Sequence, residues 1–489
     1  MSGVDAPLTL FHLRVRDLVR RPAVTCAPGA SATEIAQRLT REGVGSVVVV
    51  DADGRGVGIV TDRDLRRLVA ADRSAAATPA AALMSAPLIA VRPASFAFEA
   101  LIEMTRHGIR HLAVLDEGRL VGVISSRDFL LLQTAHPVML ARDITRAGTV
   151  AELTDLARGV TSLVRRLVRE GGSAYDIGQI VAELNDRIVV RVLGLTAAAL
   201  EERGAGEPPV PWCWLAFGSE ARREQTLRTD QDNGLVYADP SPDLAEPAAT
   251  YFARLAAGAI DNLVAVGFPP CPGGAMASNP RWCQPLAVWE GHFRRWIDEA
   301  RPEQLLSAGI YFDLRPLVGA TQLAASLVRL VHEEAPRRPV FLALLAREVV
   351  EHAVPLTLLR SVAVKRRGAR AGTVDLKTGG MLQVVGAGRL VALELGLAET
   401  NTMDRFRAAA GKGVYKPEEA LEITDAYQHL MRLRLVHQLE RLDAGEPPDN
   451  DVDPSRLSRA DRLLLREALR TITRVQAELR DRYRTGLLG

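Results

Sequence analysis

Apolar and polar positions along this chain change period in a repeating order. After Pro28 a helix-spaced stretch carrying Ile35 and Leu39 leads into two short β-rich runs, Ser46–Val50 and Val57–Val60, joined by a Gly-containing turn. The same order returns after Pro93, with Leu101 and Met104 on the helix and His111–Leu115 and Leu120–Ile124 as the paired runs. Pro28, Glu34, Gly43 and Asp51 reappear 65 positions later as Pro93, Glu99, Gly108 and Asp116. After one deletion in the turn, Gly58, Thr61 and Asp64 reappear 64 positions later as Gly122, Ser125 and Asp128. Each unit is predicted to run strand, helix, strand, turn, strand, helix.

The pattern then becomes helical. Leu153, Leu156, Val160, Leu163 and Leu167 form one stripe, and Ile177, Ile180, Val181, Leu184, Ile188 and Val192 a second, with Gly171-Gly172 between them. These stripes read as ordinary core faces without chemistry. Gly204–Pro209 marks a boundary before an apolar strand at Leu215–Phe217. Tyr251–Val266 reads as a helix, Pro269–Trp282 as a Gly/Pro/Asn-rich loop, and the chain ends in long helices. One of these starts at Pro417-Glu-Glu, and another is capped by Ser458 and Asp461. The domain plan is a tandem repeat over 13–140 (13–71 and 79–140), a helical connector over 141–204, an α/β domain over 205–335 and a mainly helical domain over 336–489.

Composition narrows the class. A chain of 489 residues, 47% hydrophobic and 25% charged, is globular material for about three domains. No apolar run has the length of a membrane span, and the start, MSGVDAPLTLFHL, has no basic segment followed by an apolar one. Both argue for a cytoplasmic protein with no membrane partner. The 61 basic residues are balanced by 59 acids, so no broad nucleic-acid-binding surface is indicated. Only four of the basic residues are lysines, and all lie between Lys365 and Lys416. Cys26, Cys213, Cys271 and Cys283 form no C-x-x-C pair and read as inert thiols.

The densest chemistry lies at Leu215–Tyr237. An apolar strand meets Gly218-Ser219, a polar stretch with Arg222 and Arg223 follows, and a second strand opens with Asp230-Gln231-Asp232. Residues i and i+2 of a strand share a face, so the two carboxylates can grip the same divalent ions. The Gly-Ser turn lets backbone approach a phosphate. Either feature alone is common in turns and caps; it is their spacing between two strands that points to nucleotidyl transfer. The segment resembles the signature of the DNA polymerase beta-like nucleotidyltransferases, and within them the DUF294 family of protein-PII uridylyltransferase-like proteins. Gln231 stands where the wider superfamily has an apolar residue.

Two further segments carry the same resemblance. In Ile310–Gly319 an aspartate sits among apolar residues, where it must be paired or bind metal. The resemblance implies that Asp313 is a third metal carboxylate, with Arg315 as a phosphate or Asp partner. The alternative is a strand-end Asp313–Arg315 bridge alone. Val374–Gly380 resembles a Lys-x-Gly-Gly element, which implies that Lys377, Gly379 and Gly380 contact the nucleotide together with Gly218, Ser219, Arg222 and Arg223.

The repeat resembles a pair of CBS modules. Their Gly-x-x-Thr/Ser-x-x-Asp motif stands as Gly58–Asp64 and Gly122–Asp128. A hydroxyl at the helix start can bond phosphate, and an Asp one turn on can take ribose hydroxyls. Thr61, Asp64, Arg110, His111, Ser125 and Asp128 are therefore the candidate contacts for an adenine nucleotide effector. Alternatively, Thr61 and Ser125 are only N-caps in capping boxes with those aspartates.

Together these readings predict an α/β and α protein: tandem CBS modules, a polymerase-beta-like α/β domain and a helical C-terminal substrate-binding domain. The expected activity is transfer of a nucleoside monophosphate from an NTP to an acceptor, a protein by resemblance. Mg²⁺ or Mn²⁺ would be held by Asp230, Asp232 and Asp313, and a homodimer would assemble through the CBS pair. The rivals are a catalytically idle nucleotide-sensing signalling protein and a scaffold that binds nothing.

Overall fold

The computed structural model describes residues 13–72, 74–130, 136–227, 230–301, 308–357, 362–365, 367 and 370–487. It divides into two compact units, residues 1–143 and 144–489.

The first unit holds two three-stranded sheets of one design. In the first, β1 (Thr25–Cys26) lies parallel to β2 (Ser46–Val50), which pairs antiparallel with β3 (Gly56–Thr61). In the second, β4 (Ala90–Val91), β5 (His111–Asp116) and β6 (Arg119–Ser125) repeat that order and orientation. The repeated glycines have one job in both halves. Gly43 ends the helix Ala32–Glu42 at φ 61°, and Gly108 ends Ala97–His107 at φ 62°, a left-handed cap that glycine adopts without a Cβ penalty. Ile35, Leu39, Val47, Val49 and Val60 close the core of the first half.

The second unit is built on a four-stranded sheet. Its order is β10 (Leu314–Gly319), β7 (Trp212–Phe217), β8 (Asn233–Tyr237), β9 (Cys283–Pro285); β9 is parallel to β8 and the other pairs are antiparallel. The register of β10 on β7 shifts between Pro316 and Val318, next to a proline that has no N–H to give the ladder. Trp282, Trp289, Trp296, Tyr311 and Phe217 stack together on one side of this sheet. Their core continues without a break through Leu390, Leu430 and Leu469 of the C-terminal helices. The sheet and those helices therefore share one interior.

The helix Ala174–Glu202 departs from its expected role as an inert connector. It buries Glu183, Asn185 and Asp186 along with its apolar stripe, because these polar groups meet Arg223 and Gln225 after β7 and Arg315 on β10.

Candidate active site

The site forms where β7 ends. Gly218 has φ +55°, and a Cβ built on it would lie 3.1 Å from Asp232 Oδ2 and 2.9 Å from Ile310 Cγ1. Only glycine lets the Asp232 carboxylate stand directly over the turn. The ladder fixes that approach, since the Phe217 N–H donates to the Asp232 carbonyl at 2.8 Å. Ser219 follows in a single helical turn, Gly218–Ala221, and is half-buried.

Gln231 explains itself in this setting. Its Nε2 donates to the Phe268 carbonyl at 2.9 Å and its N–H to that of Pro269 at 3.0 Å, anchoring the loop after Gly267. Asp230 and Asp232 are left to share the opposite face. Burial pushes the Asp232 carboxyl up to about 6, and the neighbouring Asp230 adds to the rise. A hydrogen bond from Cys271 and the charges of Lys377 and Arg222 pull the other way. Lys377, exposed on the turn Lys377–Met381, thus contributes its charge to the surroundings of Asp232 although 145 residues separate them (377 − 232).

Asp313 does something other than expected. It lies between the short 3-10 turn Gly309–Phe312 and β10, is 0% exposed, and is surrounded by three guanidiniums. Arg222 Nη1 and Arg389 Nη2 donate to Oδ2 at 2.6 and 2.7 Å, and Arg405 Nη1 donates to Oδ1 at 2.7 Å. Burial alone would raise its pKa, but the three arginines outweigh it and hold the carboxyl far below the usual carboxylate range. With both oxygens committed and no path to solvent, the metal-ligand assignment of Asp313 is corrected to a buried anchor.

Arg315 does not pair with Asp313 either. It forms a fork on Asp186, at 2.8 and 2.9 Å, and donates to the carbonyls of Glu220 and Ala221 at 3.0 and 3.3 Å. Arg222 is likewise spent internally, its Nε donating to Glu224 at 2.8 Å. Arg223 lies 3.7 Å from both Glu183 and Asp186. These arginines brace the turn, and the expected phosphate contacts of Arg222, Arg223 and Arg315 are replaced by protein carboxylates.

Gly379 and Gly380 also have a packing reason. A Cβ on Gly380 would come 2.9 Å from Leu430 Cδ1, and one on Gly379 would come 3.0 Å from Pro355 Cγ. They let the turn that carries Lys377 pack closely.

In the first unit, the capping reading of the CBS motif is observed. Thr61 N and Oγ1 donate to Asp64 Oδ2 at 2.9 and 2.7 Å, and Ser125 N and Oγ to Asp128 Oδ2 at 2.7 and 2.8 Å. Asp64 lines one cleft and Asp128 the other. Arg110 and His111 line both clefts.

Family models match most of this architecture. Residues 15–71 and 80–134 match "CBS domain", 158–303 match "Putative nucleotidyltransferase DUF294", and 339–483 match "Putative nucleotidyltransferase substrate binding domain". The chain belongs to the CBS-domain proteins that carry a DUF294 nucleotidyltransferase domain. Similar curated proteins match between 24% and 37% of it. "Uncharacterized protein MK0525" of Methanopyrus kandleri is 34% identical over 121 residues, 24% of this chain and 62% of that one. "CBS domain-containing protein YhcV" of Bacillus subtilis is 29% identical over 25% of this chain and 86% of that one. Among solved structures, CBS domain protein PAE2072 of Pyrobaculum aerophilum, complexed with AMP, is 34% identical, with a TM-score of 0.23 over 24% of this chain and 90% of that one. No described helix of this DUF294 protein is long and apolar enough to cross a membrane.

Among the described residues no three His, Cys, Asp or Glu side chains surround one point as a metal cage would. Asp230 and Asp232 fit a different arrangement, in which one or two carboxylates and the substrate phosphates share a hard cation. Two groups escaped the sequence reading. Glu220 is 5% exposed beside the turn; burial, then Asp186 and Asp232, push its carboxyl up to about 8 against the pull of Arg315. Cys271 reaches Asp232 from the loop. Glu220 directly follows Gly-Ser, which was its only signal; Cys271 had none.

Proposed function

We propose that this protein transfers a nucleoside monophosphate from an NTP to a protein side chain, in a reaction like that of protein-PII uridylyltransferase. The observation that carries the reading is the Asp232 carboxylate seated over the bare Cα of Gly218, within the electrostatic reach of Asp230 and Lys377. Asp230 and Asp232 would hold Mg²⁺ or Mn²⁺, which when bound neutralises triphosphate charge and stabilises the leaving pyrophosphate. The Gly218-Ser219 turn seats the phosphates, and Lys377 supplies a cation at the mouth of the site. In the transfer an acceptor oxygen bonds to the α-phosphorus, the bond from that phosphorus to the bridging oxygen breaks, and the acceptor proton leaves to solvent. The test is incubation with labelled ATP, UTP, CTP and GTP in a lysate, wild type against Asp230→Asn with Asp232→Asn. Label transferred to protein by the wild type alone supports the reading.

One observation favours a rival. Asp313 is held by arginines, so the carboxylate that the resemblance offered as a third ligand is not available. An idle transferase fold that only senses nucleotide would bind NTP without releasing pyrophosphate, and a pyrophosphate-release assay separates the two. In either case the CBS pair is proposed to bind an adenine nucleotide effector and to form a cytoplasmic homodimer through residues 13–140. Sedimentation of the full chain tests the dimer.

A further inference from the structure

A cavity of about 300 Å³ lies beside the edge strand β10, lined also by the helices Thr321–Glu334 and Leu382–Leu395. None of Gly218, Asp230, Asp232 or Lys377 lines it, so it is separate from the candidate active site. Phe312, Leu314, Leu327, Val331 and Leu393, all buried, make its apolar wall. Protein interiors are packed almost without voids, so an apolar space of this size calls for an occupant. An apolar cavity of about half this volume admits benzene, so this one takes roughly a dozen non-hydrogen atoms. Water suits it poorly, because a buried water needs several polar partners and this wall offers few.

The polar groups on the cavity are few and unequally used. Arg315 is committed to Asp186 and to the carbonyls of Glu220 and Ala221. Arg405, 4% exposed, is not. Its Nε donates to the Glu399 carbonyl at 2.8 Å and its Nη1 to Asp313 Oδ1 at 2.7 Å, while Nη2 has no acceptor among the described residues. Its charge is also the least compensated of the three around Asp313. Arg222 has Glu224 as a second carboxylate, and Arg389 acts on Glu348. Arg405 has its share of Asp313 and otherwise a neutral carbonyl. His332 lines the same cavity, and its ring makes no hydrogen bond among the described residues. Burial, then the charge of Arg405, lowers its pKa, so the ring is neutral and has one N–H to give. Glu399 also borders the cavity, but its side chain is exposed and its charge is screened by solvent.

We infer that this cavity binds a small amphipathic carboxylic acid, its anion on Arg405 and His332 and its apolar tail along Leu327, Val331 and Leu393. A neutral apolar ligand would leave Arg405 Nη2 unpaired in a low dielectric, which is costly. A doubly charged group such as a phosphate would bring more charge than one free guanidinium arm and a neutral ring can answer. The charge-assisted hydrogen bond from Arg405 to a carboxylate is worth about tenfold in affinity over an uncharged ligand of the same shape. The site does not depend on the transferase reading.

The experiment is calorimetric titration of the full chain with octanoate, with 1-octanol as the uncharged tail and acetate as the anion without a tail. Expected are one octanoate per chain and binding about tenfold or more weaker for both controls. Val328→Trp, at a half-buried position lining the cavity, should fill it and abolish octanoate binding with little change in melting temperature. His332→Ala removes a side chain with no internal hydrogen bond, so it should weaken octanoate about fivefold and leave 1-octanol unchanged. Arg405→Lys keeps a charge for Asp313 but no second arm, and should bring octanoate down to the affinity of 1-octanol. Should that variant not fold, Val328→Trp and His332→Ala decide the matter. No saturable octanoate binding, equal affinity for octanoate and 1-octanol, or octanoate binding undiminished in folded Val328→Trp would overturn the inference. None of these outcomes bears on transfer from NTP, which is read in its own assay.

Discussion

Replacing Asp313 by Asn decides what the buried carboxylate is for. The change keeps shape and removes one charge, leaving Arg222, Arg389 and Arg405 facing one another around a neutral amide. Arg222 and Arg405 are 7% and 4% exposed, so water cannot take over. Removing one partner of a buried ion pair costs about 3–5 kcal/mol, and here three cations lose the same anion, so the upper end applies. In a unit of this size each kcal/mol moves the melting temperature by roughly 2 °C, giving a fall of about 10 °C. The pH dependence has a definite sign. The folded carboxyl is held below its unfolded value, so its contribution is full above about pH 4 and fades as pH falls further. Calorimetric melting of wild type and Asp313→Asn between pH 7 and pH 3 should show the gap narrowing at the acid end. Mn²⁺ titration should find metal binding retained in the variant at temperatures where it is folded. Unchanged melting with abolished Mn²⁺ binding would refute the anchor and restore Asp313 as a ligand.

Four other outcomes follow from the site. Asp230→Asn with Asp232→Asn should abolish the Mg²⁺-dependent rise in melting temperature with NTP, without lowering stability in its absence, because it also removes two facing like charges. Gly218→Ala places a methyl 3.1 Å from Asp232 Oδ2 at a left-handed φ, so it should cost about 1–2 kcal/mol by thermal melting and at least a hundredfold in transferase rate. Metal must displace a proton from Asp232, so Mn²⁺ affinity should climb as pH rises through about 6 and level off above it, with the midpoint lowered in Asp230→Asn. Arg315→Ala leaves Asp186 and the Glu220 carbonyl without their donor, so melting should fall by about 3 kcal/mol while Asp186→Ala in addition adds little, as expected for a pair.

What the sequence made legible was local or repeated. The 65-residue offset exposed both small sheets, because each half solves the same packing problem with the same glycine caps. Gly218, Asp230 and Asp232 could be read together because one connection between two strands joins them, and a Gly-Ser turn and an i, i+2 acid pair, each common alone, have few other uses at that spacing. Lys377 stood out only because lysine is rare here. The environment of Asp313 was hidden for the opposite reason. Its partners lie 91, 76 and 92 positions away, among arginines so numerous that no single one signals a buried role. The resemblance gave Asp313 a ligand's role, and only packing shows which charge reaches it first. The helix Ala174–Glu202 misled because its apolar stripe is genuine; Glu183, Asn185 and Asp186 interrupt it, and that interruption was the overlooked sign.

The same buried charges explain how an irregular segment can hold a site to a fraction of an ångström. Among the described residues between the turn at Gly218 and the acid at Asp232 the chain has one short helical turn and no strand, so backbone bonds there do not fix its path. Glu224, 2% exposed in its middle, accepts from Arg222 Nε, Thr402 N, Thr402 Oγ1 and Tyr427 Oη at 2.8, 2.5, 3.1 and 2.8 Å. Asn401 holds the Arg222 carbonyl at 3.1 Å, and Asn185 holds Gln225 at 3.0 Å. Apolar contacts here would tolerate sliding, since burial energy is nearly indifferent to direction. A hydrogen-bonded ionic network in low dielectric is satisfied in one arrangement and penalised in the others. The anchors come from the helices that begin at Ala174, Thr402 and Pro417, so two of the three belong to the region matched by the substrate-binding family model. Any displacement of those helices by an acceptor must therefore be felt at Glu224 and Arg222, and through the segment at both ends of the site.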